Sequence, residues 1–200
     1  VIFPDNEKLK FGAPDFEIFH DGSNTYLTEV GDSTGQVYLR ANGIELLNNS
    51  NEKYINCISD GAVTLYHNNL AKLATTSLGA DVTGEFIADS YNETYVSLSA
   101  ASSVTIDCHT GNVFALTTGQ NTTFVFSNPP ASGTAYSFSL EVIQDGSASG
   151  YAITWPGAVD WPSATAPTLT ATASAKDVFV FYTRDGGTTW YGFTAGQALG

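Results

Sequence analysis

Short alternating segments that end in turn residues are the feature of this chain that most constrains its fold. Residues 16–22 (FEIFHDG) and 63–69 (VTLYHNN) each alternate apolar and polar side chains and then reach Asp-Gly or Asn-Asn. Period-two alternation predicts β-strands with one apolar face. Strands this short cannot cover that face alone, so we expect the strands of identical chains around a shared axis to cover it. This favours an elongated, assembled structural or attachment protein over an enzyme.

Composition supports an all-β chain that avoids anionic partners. Hydrophobic residues make up 42% of the 200 positions and 19 are Gly, which is typical of a β-rich fold with many turns. The net charge of -13 disfavours binding to nucleic acid and to anionic membranes. No run of about 18 apolar residues occurs, so no membrane insertion is expected. The absence of Met indicates a processed product or a segment of a longer chain.

The first part of the chain can be divided at its turns into a repetitive β region, which we take as residues 1–88. Its predicted strands are 9–12, 16–21, 25–30, 36–40, 44–47, 53–59, 62–67 and 70–76. Residues 17–21 and 64–68 resemble copies of one unit, 47 positions apart. Repetition of small β units predicts a fibrous stalk of intertwined chains, in which each layer covers the next.

Beyond a junction at about 85–95, longer and more apolar strands predict a second domain, which we take as residues 89–200. The predicted strands are 104–108, 113–118, 122–127, 136–144, 152–155, 168–172, 178–183 and 189–193. Turns such as Asn-Pro-Pro and Asp-Gly-Gly join them, as in an antiparallel β-sandwich of the jelly-roll kind. The expected inward-facing core includes Phe138, Leu140, Val142, Phe179 and Phe181.

Several short sequence words occur together along the chain in a fixed order. They are FG (11–12), EIFHDGSN (17–24), VYLR (37–40), LYHNN (65–69), KLATT (72–76), GADVTG (79–84), NTTF (121–124), FSNPP (126–130), ITWP (153–156) and DGGTTWY (185–191). In this order they resemble segments of tail-fibre and related virion structural proteins of marine bacteriophages, such as cyanophages and pelagiphages. The resemblance extends from about residue 5 to residue 196.

The resemblance implies a virion fibre or spike, homotrimeric, with its C-terminal domain at the exposed tip. The implied partners are sister copies of the chain, other tail proteins of the virion, and a host cell-surface polysaccharide or outer-membrane receptor. The implied location is the virion, outside the host cell. The resemblance transfers no catalytic residue and no cofactor.

Four residues between positions 151 and 161 are candidates for glycan contact: Tyr151, Trp155, Asp160 and Trp161. Aromatic rings can stack on the apolar faces of sugars, and a carboxylate can orient hydroxyl groups. Proline follows each tryptophan, and the stiffened backbone lowers the ordering cost of binding. Packing of both indoles in the core of the domain is the alternative, since tryptophan is usually largely buried.

Residues 183–190 (TRDGGTTW) fit the Asp-box pattern found in sialidases and many other β proteins. We assign the motif to a structural turn: the glycines permit a tight bend, the Asp accepts backbone N–H groups, and the Trp packs beneath the hairpin. The residues that carry this assignment are Thr183, Asp185, Gly187 and Trp190.

No catalytic, cofactor or metal constellation stands out. His20 and His67 end equivalent strands just before turns, where hydrogen bonding in the turn is preferred to metal binding at a threefold axis with Asp21 orienting the imidazole. Cys57 and Cys108 lack metal-ligand spacing and are expected to be separate buried thiols, with a disulfide as the open alternative. Acidic residues are dispersed among turns rather than paired, as hydrolysis of glycans would require.

Three function classes therefore remain. The first is a tail fibre or spike whose tip attaches to a host glycan or receptor. The second is a capsid fibre or connector that holds other virion proteins and binds no host molecule; complete burial of Trp155 and Trp161 would favour it. The third is a polysaccharide-degrading tailspike, marked by a groove between subunits that is lined by two carboxylates.

Overall fold

The structure, a computed structural model, describes residues 2–12, 16–30 and 35–200. These residues form β-strands and one turn of 3-10 helix, Pro162–Ala164, and contain no α-helix, which confirms the all-β prediction. In the same ranges, no helix is long and apolar enough to cross a membrane. The strands are β1 (Leu9–Phe11), β2 (Phe16–His20), β3 (Thr25–Glu29), β4 (Gly43–Leu47), β5 (Lys53–Ile58), β6 (Val63–His67), β7 (Leu70–Thr76), β8 (Gly79–Val82), β9 (Tyr95–Leu98), β10 (Ser103–Asp107), β11 (Val113–Thr117), β12 (Thr122–Ser127), β13 (Tyr136–Ile143), β14 (Ile153–Thr154), β15 (Val159–Asp160), β16 (Lys176–Thr183) and β17 (Trp190–Leu199).

The chain divides into two compact units, Val1–Phe86 and Ile87–Gly200. Two predicted strands are irregular in the structure: residues 36–40 and 168–172 have no strand partner among the described residues. Local alternation is not sufficient for a strand, because the backbone N–H and C=O groups also need a neighbouring strand. Three strands, β8, β9 and β15, were missed by the sequence analysis.

The N-terminal unit contains two antiparallel meanders. One sheet has the order β1-β2-β3 and the other the order β4-β5-β6-β7-β8. The turn between β6 and β7 consists of Asn68 and Asn69, whose φ angles are 49° and 60°. Two successive residues with positive φ form the type I′ turn that matches the twist of a hairpin, and Asn tolerates this conformation well.

Two neighbouring rows of the five-stranded sheet, one on each face, differ in polarity. Directly opposed residues on neighbouring strands share a face. One such row, which we call the apolar row, runs across all five strands: Leu46, Ile55, Leu65, Leu73 and Val82. The next row, which lies on the other face and which we call the polar row, consists of Glu45, Asn56, Thr64, Ala74 and Asp81.

The three-stranded sheet repeats this arrangement on a smaller scale. Leu9, Ile18 and Leu27 form an apolar row across β1, β2 and β3. Lys10, Glu17 and Thr28 form the neighbouring row on the opposite face. Ile18 and Leu65 are related by the 47-residue repeat, and both lie in the apolar row of their sheet. The repeat read from the sequence therefore preserves which face each residue occupies.

In the C-terminal unit the chain passes alternately between two sheets. Strands β9, β11 and β13 are parallel neighbours in one sheet, and β10, β12 and β14 are parallel neighbours in the other. Successive passages therefore stack like the coils of a β-solenoid. The first sheet is then extended by β16, β17 and β15 in the order β15-β17-β16-β13-β11-β9.

The predicted antiparallel, jelly-roll-like sandwich was wrong in its strand pairing for these first six strands. Only β13, β16 and β17 pair antiparallel in this unit. The physical reason is that each strand crosses to the opposite sheet before the chain returns, so the returning strand runs in the original direction. Alternation with period two is common to both kinds of pairing and cannot distinguish them.

The two sheets of the C-terminal unit enclose one hydrophobic core. Among the described residues, every buried apolar side chain lies between Val104 and Trp190. All five residues expected to face inward are in this core, and the exposure of each is 2% or less: Phe138, Leu140, Val142, Phe179 and Phe181. Aromatic rings fill its centre, where Phe138 and Phe181 stack with their centroids 5.0 Å apart.

Candidate functional site

The first candidate site is a groove of about 350 Å³ in the C-terminal unit, which we call the Gln144 groove. One side is formed by Gln144, directly after β13, and by the segment that leads into β14. The opposite side is the irregular segment that follows Pro167. The lining residues are Gln144, Gly150, Tyr151, Ala152, Ile153, Trp155, Pro167, Thr168, Leu169, Thr170 and Ala171.

Gln144 occupies an inward-facing position that a polar side chain rarely takes. It follows Phe138, Leu140 and Val142 in the two-residue register of β13, and its exposure is only 3%. Its backbone N–H donates to the carbonyl of Ala175 at 2.9 Å. Its side-chain Oε1 is buried and has no hydrogen-bond partner in the described part of the chain. An unpaired buried amide costs free energy, so this residue calls for a functional explanation.

The far wall of the Gln144 groove is held by a buried carboxylate. Asp177 is 1% exposed, and its Oδ2 accepts the backbone N–H of Thr170 at 2.6 Å. Its Oδ1 accepts the Thr170 hydroxyl at 2.7 Å and the backbone N–H of Ala198 at 3.1 Å. The Gln197 side chain adds a bond from Nε2 to the carbonyl of Thr168 at 2.7 Å. An irregular segment thus receives a fixed position without belonging to a sheet.

The charge state of Asp177 follows from these contacts. Burial acts to raise the pKa of its carboxyl, because it disfavours the charged form. The hydrogen bonds from Thr170 and Ala198 favour the carboxylate and outweigh burial, so the pKa lies below its ordinary value. Asp177 is therefore ionised at neutral pH and keeps the wall in place.

The aromatic floor of the groove is set by Trp155. This indole is half-buried and packs against the core, stacked on Phe124 with centroids 5.5 Å apart. It also meets Phe179 edge-on at 5.1 Å. Tyr151, also half-buried, lies at the mouth and forms no hydrogen bond through its hydroxyl in the described residues.

A second groove, of about 360 Å³, lies against Trp161, and we call it the Asp160 groove. Its lining residues are Asp160, Trp161, Pro162, Ser163, Ala164, Tyr191, Gly192 and Phe193. Tyr191 and Phe193 are 37% and 49% exposed and present ring surface to solvent. The Trp161 ring lies so close to Gly192 that a Cβ at that position would be 2.8 Å from it.

The structure separates the four predicted glycan-contact residues into two pairs. Tyr151 and Trp155 line the Gln144 groove, whereas Asp160 and Trp161 line the Asp160 groove. The two indoles touch edge-on, with their ring centroids 5.3 Å apart. Trp161 is only 6% exposed, and its Nε1 has no hydrogen-bond partner in the described chain. It therefore packs in the core and offers little ring surface for stacking.

Sequence reasoning missed Gln144, the segment 167–171 and the exposed rings of Tyr191 and Phe193. A signal for Gln144 was present, because it continues the inward register of Phe138, Leu140 and Val142. Asp177 carries the same signal in β16, where it shares the inward register with Phe179 and Phe181. No local signal identifies residues 167–171, because their position depends on Asp177.

The Asp-box-like motif forms the hairpin turn between β16 and β17. The Asp185 Oδ1 accepts the Thr183 hydroxyl and the backbone N–H of Thr189, both at 3.0 Å. The N–H of Thr189 is the main reason that the pKa of Asp185 is lowered. Gly187 has a φ of 77°, and a Cβ there would be 2.8 Å from Pro129. Trp190 is 2% exposed beneath the turn.

The histidines and cysteines are placed as follows. The Nδ1 of His20 lies 3.0 Å from Asp5 Oδ1 and 3.0 Å from the backbone nitrogen of Gly22, so Asp5 and not Asp21 contacts the imidazole. Both cysteines are free thiols; Cys108 is buried and Cys57 is half-buried. In residues 2–12, 16–30 and 35–200, no group of three or more His, Cys, Asp or Glu side chains could hold a metal ion.

The apolar row of the N-terminal unit is the second kind of candidate site. Leu46 is 48% exposed, and Leu65 and Val82 are each 40% exposed. Ile55 and Leu73 are half-buried. The row contains no charged residue, whereas the polar row on the opposite face contains two. This surface suits a protein partner rather than a small ligand, because it is aliphatic and uncharged across five strands.

Comparison with known proteins adds no relative: no family model, no curated protein and no solved structure matches this chain.

Proposed function

We propose that this chain is part of a bacteriophage tail fibre or spike that assembles as a homotrimer. In this proposal the N-terminal unit is the stalk, and the C-terminal unit is the tip that attaches to a glycan or receptor on the host surface. The observation that carries the proposal is the half-exposed apolar row of the N-terminal unit. The resemblance of the sequence words to phage fibre segments supports the same function.

The apolar row exposes aliphatic surface that a second chain could bury. Full burial of an aliphatic side chain stabilises by roughly 1.5–3 kcal/mol, so covering residues that are about half exposed gains on the order of 1 kcal/mol each. Three residues of the row, Leu46, Leu65 and Val82, are exposed to this extent, and their burial, multiplied over an assembly, can offset part of the entropy of association. By contrast, the C-terminal unit encloses a core of thirteen buried apolar residues between its own two sheets.

A second copy of the chain is the occupant that fits the apolar row best. The 47-residue repeat gives each chain two sheets with the same apolar face, so the surface is complementary to itself. Both signs of charge occur in this part of the chain: five of the seven basic residues lie within the first 72 positions. Copies can therefore approach one another with less repulsion than a purely acidic surface would cause.

The grooves of the C-terminal unit support a binding role for the tip. Three weak sites on one rigid particle bind far more strongly than one, because the first contact raises the effective concentration of the others. Neither groove is lined by two carboxylates, and the lining of the Gln144 groove contains none. This favours binding over hydrolysis within a single chain.

A capsid fibre or connector without host contact is the second candidate function. The burial of Trp161 at 6% exposure favours it, since one of the two indoles expected to contact a glycan belongs to the core. Under this alternative the apolar row still joins copies of the chain, and the grooves have no host ligand.

The proposal is tested by the mass of the particle in solution and by one pair of substitutions. We expect light scattering to give about three times the chain mass of 21.2 kDa. Leu65→Asp places a charge in the centre of the apolar row and should reduce the mass to that of one chain. Thr64→Asp is the matched control on the polar row and should leave the trimer intact. The proposal would be refuted if the wild-type protein had the mass of one chain at every concentration. It would also be refuted if both variants lowered the particle mass equally.

A further inference from the structure

Gln144 has the properties of a residue that is retained for binding rather than for stability. Its side chain is only 3% exposed and continues the inward positions of Phe138, Leu140 and Val142, which are all apolar. Its Oε1 has no hydrogen-bond partner in the described chain. An apolar side chain of the same length would remove this cost. Residues that lower the stability of the fold without making a compensating contact are typical of binding sites.

The lining of the Gln144 groove selects for an uncharged ligand. None of its eleven residues is acidic, basic or histidine. Its polar side chains are Gln144, Tyr151 and two threonines. The hydroxyl of one threonine, Thr170, already donates a hydrogen bond to Asp177. Its apolar surface comes from Ile153, Trp155 and Leu169. A ligand with an apolar face and neutral hydroxyl groups matches this combination.

The wall and the floor of the groove are held by contacts within the chain. Asp177 and Gln197 hold the 167–171 wall through three hydrogen bonds, and the backbone N–H of Ala198 donates a further one to Asp177. The floor is fixed by the packing of Trp155 on Phe124 and Phe179. A preorganised site loses little conformational entropy on binding. Its volume of about 350 Å³ lies at the small end of ligand sites, which suits a ring-sized group.

We propose that the Gln144 groove is a subsite for one neutral pyranose ring of a surface polysaccharide. On binding, the carboxamide of Gln144, whose Oε1 is otherwise buried, turns towards the ligand and pairs with a sugar hydroxyl, which can both donate and accept a hydrogen bond. The apolar face of the ring lies against Trp155 and Leu169. This inference deepens the attachment function proposed above and rests on it. A peptide is disfavoured, because the adjacent β14 is only two residues long and offers few backbone groups for an added strand.

The test uses the full chain and an array of neutral hexose oligosaccharides, with acidic oligosaccharides and an uncharged peptide as further probes. We expect the wild-type chain to bind at least one neutral oligosaccharide. Gln144→Met keeps the length of the side chain but removes its hydrogen bonds, and should weaken binding about tenfold or more. Gln120→Met changes an exposed glutamine outside the groove and should leave the affinity unchanged.

A second measurement separates a binding role from a structural one. Because Met leaves no unpaired amide, the thermal midpoint of Gln144→Met should equal or exceed that of the wild type. Binding of acidic sugars or of the peptide alone, equal affinity in both glutamine variants, or no binding by the wild type would overturn the subsite. Light scattering on the same samples keeps the two proposals distinct: a trimer that binds no sugar refutes only the subsite, and a monomer that binds through Gln144 refutes only the stalk.

Discussion

The two units of this chain use the same alternation of apolar and polar residues and reach opposite outcomes. In the N-terminal unit each sheet has one apolar face, and residues such as Leu46 and Leu65 keep 40% or more of their surface exposed. In the C-terminal unit a second sheet faces the first, and residues such as Phe179 and Phe181 are completely buried. The difference teaches that alternation creates an apolar face, whereas the path of the chain decides whether the same molecule covers it.

The units also differ in how they offer surface to partners. The apolar row is aliphatic and lacks charge, so it suits association of copies over a broad area. The C-terminal unit encloses a core between two sheets, and irregular residues such as Thr168 and Thr170 line one of its grooves. In the functions proposed above, one unit serves assembly and the other the recognition of a small group.

The largest change in stability is expected for a substitution in the closed core of the C-terminal unit. Phe181→Ala should lower the free energy of unfolding of the C-terminal unit by about 3–5 kcal/mol, because it leaves a cavity among packed rings. Phe193→Ala, on the neighbouring strand but 49% exposed, should cost less than about 1 kcal/mol. Urea unfolding followed by tryptophan fluorescence reports this unit alone, since all three tryptophans lie in it. If both variants lost the same free energy of unfolding, Phe193 would be as buried as Phe181, and the contrast between closed core and exposed surface would be wrong.

An intermediate effect is expected at the groove wall. The pKa of Asp177 is depressed in the folded chain, so its stabilising contribution is complete above the ordinary aspartate pKa of about 3.9. The contribution is lost as the pH falls through the lower folded value. Asp177→Asn should lower the free energy of unfolding at neutral pH by about 1–3 kcal/mol, with a smaller loss below pH ~4. Unfolding curves at several pH values measure this, and a loss that is independent of pH would contradict the role of the carboxylate.

The smallest effect is expected at an exposed hairpin of the N-terminal unit. Asp21 accepts the N–H groups of Asn24 and Ser23 and the hydroxyl of Tyr26, and the first of these is the main reason that its pKa is lowered to about 2. The turn should therefore keep its geometry above pH ~4 and loosen as the pH falls towards 2. NMR titration of the Tyr26 ring signals measures the change. Tyr38, whose hydroxyl donates to Gln36, is the control and should not follow the same titration; a common midpoint for both rings would argue against the assignment.

Much of the fold was predictable from local pattern. The strands around Phe16–His20 and Val63–His67 and the turns after them follow from alternation and turn chemistry. The prediction failed for residues 36–40, which alternate suitably but have no strand partner, and for β9, which begins directly after the polar segment 88–94. In both cases the deciding factor was a distant neighbour and not the local sequence.

The site was predictable only in part. The four candidates near Trp155 could be named from the sequence, and each of them lines one of the two grooves. The pattern did not separate Trp155, which lines a groove, from Trp161, which fills the core. Gln144 was detectable as a polar residue at an inward position, but the groove beside it exists only because Asp177 holds a distant segment in place.

By itself the sequence determined where most of the strands and turns lie, which residues alternate along them, and five of the residues that fill the core of the C-terminal unit. These properties depend on neighbours two to four positions away, through backbone conformation and the alternation of side chains. Only the tertiary structure decided that the strands β9 to β14 pair in parallel within their two sheets and that Gln144 lines a groove. Those outcomes depend on which distant segments meet, and chain path and core packing set that choice rather than local preference.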